Sequence, residues 1–144
     1  MKYILLLMAL MLPKIALSEE RPLLNEVNQL VWKNRIILIW SDQNDTDYER
    51  SLKRYEYEIN DRDIIWFILN DTEVITNYEG ELSSEFIGRT KQNYPIERGR
   101  VLLIGKDGGI KDRDNTLQLK PLFEKIDSMP MRQDEVRSKT KSQS

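Results

Sequence analysis

The chain has 144 residues, 40% hydrophobic and 32% charged, enough for one globular domain with a well-charged surface. Its formal net charge of −2 argues against a general nucleic-acid binder, which is usually basic. It contains no Cys and no His, which excludes thiol nucleophiles, disulfides, Cys or His metal sites and the usual general base near neutral pH.

Residues 1–18 read as a signal peptide. Lys2 supplies a positive start, and Tyr3 to Leu12 is an apolar run too short to cross a bilayer as a mature helix. Ala16-Leu17-Ser18 puts small residues where signal peptidase reads, so cleavage is expected before Glu19. Losing Lys2 and Lys14 takes the 22 basic residues to 20 against 24 acidic ones, a net charge of about −4. The expected location is periplasmic or secreted, with membrane contact only if the leader is retained. Export without disulfides leaves the fold to stand on its core alone.

Glu19 to Lys33 predicts a short helix, with Pro22 in its first turn and Leu23, Leu24, Val27, Leu30 and Val31 at helical spacing. Arg35 to Trp40 is β-branched and continuously apolar after its first residue, as a strand covered on both faces would be. Ser41 to Asp47 is a turn crowded with Asp and Asn that feeds a helix from Asp45 to Asn60, striped by Tyr48, Leu52, Tyr55 and Ile59. Asp63 to Leu69 is a second buried strand, and Asn70 to Gly80 reads as a loop. A third helix spans Ser83 to Asn93, with Phe86 and Ile87 inward and Pro95 as its stop.

Val101-Leu102-Leu103-Ile104 then runs into Gly105-Lys106-Asp107-Gly108-Gly109 and on to Ile110. An apolar run ending in Asp-Gly predicts a tight hairpin, because the turn needs positive φ angles that Gly adopts readily. After Arg113 the strand's outward face is charged, as at an edge. A last helix is expected from Leu119 to Ser128, with Leu122, Phe123 and Ile126 inward. Residues 132–144 read as a polar, disordered tail, so the domain is expected to cover 19–131.

The first two strands are separated by a helix and are expected to be parallel. The predicted class is α/β, a thioredoxin-like sandwich with a central mixed four-stranded sheet flanked by helices. In that fold the redox site lies where the first buried strand meets its helix. Here that place reads Trp40-Ser41-Asp42-Gln43-Asn44-Asp45-Thr46-Asp47, which has no sulfur, so thiol redox catalysis is excluded. Where thioredoxins carry a cis-Pro before the hairpin, this chain has Arg100.

Other motifs read as local structure. Asp42, Asn44 and Thr46 alternate as in a calcium loop, but Asp47 stands where Gly belongs and Lys53 where the bidentate Glu belongs, so helix capping is the reading. Asn44-Asp45-Thr46 and Asn70-Asp71-Thr72 match the glycosylation sequon. Gly105 to Gly109 lacks the strand-loop-helix context of a phosphate-binding loop. No cofactor and no metal is expected.

Leu102 to Lys111, then Leu122-Phe123, then Ile126-Asp127-Ser128-Met129-Pro130-Met131-Arg132, together resemble the domain-of-unknown-function family 4174. Trp32-Lys33-Asn34-Arg35-Ile36-Ile37-Leu38 and Asp61-Arg62-Asp63 resemble that family's opening motifs. Family members often carry a second Arg after Met-Pro-Met-Arg, where this chain has Gln133. The resemblance implies a thioredoxin-like domain of exported bacterial proteins, similar to domains of animal extracellular matrix proteins with sushi repeats. It implies no established activity, and no catalytic residue carries over.

The expected function is therefore a non-enzymatic binding module of the cell envelope or exterior, with a protein partner. Its expected binding residues are Lys106, Asp107 and Arg132, polar groups where the fold alone needs only a turn or a helix end. The alternatives are a hydrolase using carboxylates of the Asp42 to Asp47 turn, and an indirect oxidative-stress role of peroxiredoxin-like descent.

Overall fold

The computed structural model describes residues 21–41 and 45–144. The expected leader, residues 1–18, and Asp42, Gln43 and Asn44 of the expected acidic turn lie outside the described residues. The fold is α/β, built on one open mixed sheet. Arg35–Trp40 (β1) is its centre, and all six residues are buried. Asp45–Arg54 (α1) and Glu56–Asp61 (α2) lead to Ile64–Leu69 (β2). β2 pairs with β1 in parallel, Arg35 opposite Ile64 and Trp40 opposite Leu69.

Val74–Thr76 (β3) folds back antiparallel on β2. Phe86–Asn93 (α3) precedes Val101–Ile104 (β4), which pairs antiparallel with β1. Ile110–Asp114 (β5) completes the hairpin as an edge strand. The strand order is β3-β2-β1-β4-β5. Leu119–Asp127 (α4) and Pro130–Ser142 (α5) end the chain's regular structure. No helix among the described residues is long and apolar enough to cross a membrane.

The period-two alternation of β1, β2 and β4 builds two cores. Ile37, Ile39, Trp66, Ile68, Val101 and Leu103 face Leu52, Ile59 and the α4 residues Leu122, Phe123 and Ile126. Ile36, Leu38, Trp40, Phe67, Leu69 and Leu102 face Leu24, Val27, Leu30 and Phe86 on the other side. With both faces covered, β1 beyond Arg35, β2 and β4 must be apolar throughout, which is why they read as unbroken runs.

Four expectations change. The helix expected over Glu19–Lys33 is, among the described residues, a single 3-10 turn at Val27–Leu30. Leu24 is instead extended and bridges Leu82, with its N–H donating to Glu81 O at 2.9 Å. Tertiary pairing overrides the helical spacing there. The Asp45–Asn60 helix is interrupted at Tyr55, between α1 and α2.

The sheet has five strands rather than four, because the 70–80 loop holds β3. Asn70 Oδ1 accepts hydrogen bonds from the amides of Thr72 and Glu73, an Asx turn that sends the chain back along β2. Finally, 132–144 is not a disordered tail, since α5 runs through Ser142. Pro130 pre-sets its first turn, and side-chain charges dock it to the domain.

Candidate functional site

The segments that set this chain apart meet at one end of the sheet, where β1 starts. Trp32 to Arg35 leads into β1, Asp61 to Asp63 closes α2, Gly105 to Gly109 turns the hairpin, and Asp127 to Arg132 links α4 to α5.

The hairpin turn is as expected. Gly108 has φ +82°, and its N–H donates to Gly105 O at 3.0 Å. Asp107 Oδ1 accepts from the Gly109 amide at 2.9 Å, and Lys111 reaches Oδ2 at 2.8 Å. A Cβ on Gly108 would sit 3.2 Å from Val31 Cγ2, in a backbone region that disfavours side chains. Gly108→Ala is expected to lower stability by about 1–2 kcal/mol, read as a lower urea midpoint with unchanged slope.

Lys106 does not reach outward. Its side chain is only 10% exposed, and its ammonium contacts Asp63 at 2.9 Å and Glu135 at 2.6 Å. Glu135, on α5, also takes a two-pronged fork from Arg35, with Nη1 to Oε2 at 3.1 Å and Nη2 to Oε1 at 3.2 Å. Arg132 lies one helical turn before Glu135, with its side chain 4% exposed. It donates to Asp61 O at 2.8 Å, to Asp61 Oδ2 at 2.5 Å and to Asp127 Oδ1 at 3.3 Å. Arg62 grips Asp127 from the other side at 2.7 Å and lies over the Phe123 ring. Lys139 adds a contact to Asp61 at 3.2 Å.

The structure thus brings Lys106 and Arg132 into one network through Glu135, and leaves Asp107 on the turn with Lys111. Lys106, Asp107, Lys111, Met129, Pro130 and Met131 line a groove of about 300 Å³ between the turn and the start of α5. Among the described residues, two that are not glycine hold positive φ at this end, Trp32 at +68° and Asp63 at +52°. Trp32 is 68% exposed, and its N–H donates to Lys106 O at 2.6 Å. A bulky residue in that backbone region is uncommon and is held there by its surroundings.

The sequence reading missed Arg35, Asp61, Asp127 and Glu135. Arg35 carried a signal of its own, a cation opening an otherwise apolar strand; Asp61 and Asp127 stood in the motifs quoted above, and Glu135 carried none. At the opposite end of β1, Asp45 accepts a hydrogen bond from Ser41 and Asp47 pairs with Arg50 at 3.2 Å. Among the described residues no cluster of three acids is placed to hold a metal ion.

The electrostatics of the network favour charged carboxylates. The Arg132 hydrogen bond, outweighing partial burial, holds the Asp61 carboxyl below the usual range. Burial pushes Asp127 and Glu135 up, but the cations Arg62 and Arg132 on one, and Arg35 and Lys106 on the other, outweigh it and leave both lowered. Carboxylates lowered in the folded state stabilise it fully above their unfolded values, near pH 4, and lose that contribution as pH falls through the folded values. The urea midpoint is therefore expected to drop between about pH 5 and pH 3, with part of that drop missing in Asp61→Asn.

With their carboxyls lowered by neighbouring cations, Asp61, Asp127 and Glu135 suit holding and positioning charged groups. No curated protein and no solved structure matches this chain. A family model described as a domain of unknown function, DUF4174, matches residues 26–135, a span that takes in every residue of the network but Lys139, and the chain belongs to that family.

Proposed function

We propose that this chain is a non-catalytic, thioredoxin-like binding module of the cell envelope or exterior, engaging a protein partner at the groove between the hairpin turn and α5. The observation that carries this reading is the convergence of the Gly-Lys-Asp-Gly-Gly and Met-Pro-Met-Arg motifs on that groove. Its charged walls are already paired, and Met129, Pro130 and Met131 add an adaptable apolar lining, with Met131 40% exposed. Thioethers at a surface suit contact with varied partners. The strand order and the leader-like residues 1–18 support the thioredoxin-like and exported parts of the reading. In it, Asp107 stands on the rim, Lys106 forms part of the wall, and Arg132 fixes the start of α5.

The test is a crosslinking pull-down with residues 19–144 from envelope extract of the source organism, run beside a Met131→Glu, Lys111→Glu variant. Both positions lie outside the buried network, so the variant is expected to fold. A reproducible partner that the variant loses is the expected result. Identical partners for both proteins would sink the groove. No partner for either would turn attention to small substrates at the Asp42 to Asp47 turn.

A further inference from the structure

α5 docks in an unusual way. Among its residues only Arg132 is buried, and no apolar side chain is. Val136 and Met131 are 45% and 40% exposed. What ties the helix to the domain is charge: Arg132 to Asp61 and Asp127, Glu135 to Arg35 and Lys106, and Lys139 to Asp61. Attachments of this kind weaken with ionic strength where water reaches them, as at Glu135, Asp127 and Lys139, whereas the two apolar cores on either face of the sheet do not.

The receiving side is also held from within the domain. The Arg35 side chain is 2% exposed and is held on Arg62 O at 3.0 Å by the same nitrogen that meets Glu135. A bidentate guanidinium fork with an added ammonium is the arrangement by which proteins recognise a carboxylate. Arg35 and Lys106 both also border the groove beside Met129–Met131, so the site has an open approach. Five cations (Arg35, Arg62, Lys106, Arg132, Lys139) face four carboxylates (Asp61, Asp63, Asp127, Glu135) at this junction. Withdrawing Glu135 leaves a buried guanidinium uncompensated, which is strongly unfavourable. The site therefore calls for a replacement carboxylate whenever the helix leaves.

We propose that α5 is a releasable strap whose Glu135 fills, in cis, a carboxylate-binding site built by Arg35 and Lys106, and that an acidic side chain of the partner takes this site when the strap lifts. The proposal builds on the groove reading by naming the partner's chemistry. Its tests use no partner, so its failure is distinguishable from failure of the pull-down.

The first test follows backbone hydrogen exchange in the unmodified protein at about 0.05 M and about 1 M NaCl. The α5 amides are expected to lose protection by about tenfold or more, while those of β1, β2 and β4 hold theirs. An unchanged α5, or a loss shared equally with the strands, overturns the strap.

The second test replaces the carboxylate. In Glu135→Ala, acetate at fixed ionic strength is expected to raise the thermal midpoint above that in chloride, with no such difference in the unmodified protein. Equal midpoints in the two anions overturn the carboxylate site. If Glu135→Ala does not fold, Glu135→Gln in the exchange experiment takes its place. It is expected to lower α5 protection at low salt, and full protection there overturns the proposal.

Discussion

Replacing Arg132 with Ala is expected to lower the unfolding free energy by about 2–4 kcal/mol, seen as a lower urea midpoint with unchanged slope. The side chain is buried and donates to two carboxylates and one carbonyl. Removing one member of a fully buried pair typically costs about 3–5 kcal/mol, because the partner charge loses its compensation. Here Asp61 and Asp127 are 36% and 45% exposed, so water takes up part of the loss and the estimate is lowered accordingly. Arg132→Lys keeps the charge but not the fork, and is expected to recover less than half of the loss. A loss under about 1 kcal/mol for the Ala variant would mean that this network holds little of the fold together.

Phe67→Ala is expected to cost more, about 3–5 kcal/mol. Phe67 is fully buried in β2 and packs on Phe86 of α3, with ring centroids 4.9 Å apart. The variant loses the transfer free energy of the ring and leaves a cavity between sheet and helix that neighbouring strands are too constrained to fill. The smaller Phe67→Leu change is expected to retain most of that stability. An Ala variant within about 1 kcal/mol of the parent would show that this side of the sheet collapses readily onto the gap.

How legible the fold was depended on whether burial was apolar. Arg35–Trp40 and Ile64–Leu69 announced themselves because strands covered on both faces need apolar side chains at every position. The hairpin was legible because only a few residue types suit its turn. β3 was missed because three half-buried residues carry no period worth reading. Leu24 misled because its helical spacing gave way to a bridge with Leu82, a partner far along the chain.

α5 escaped for a different reason. Apolar periodicity detects helices that bury an oily face, and this one docks through Arg132 and Glu135. The candidate site was only half readable. Lys106, Asp107 and Arg132 stood out as polar groups in distinctive motifs. Their distant partners did not, because Asp61 lies 71 residues from Arg132, and Glu135 lies 29 from Lys106 and 100 from Arg35, and no local pattern records such pairing.

That last separation has a bearing on how the protein is made. Every strand of the sheet precedes α5 in the chain, and synthesis delivers the N-terminal elements first. A chain stopped before residue 130 would assemble its sheet around an Arg35 with no carboxylate to meet it. The last helix thus completes the charge pairing of the first strand. A product lacking α5 is expected to leave the Arg35 charge without Glu135, to open more readily and to be cleaved faster than a chain that carries the helix.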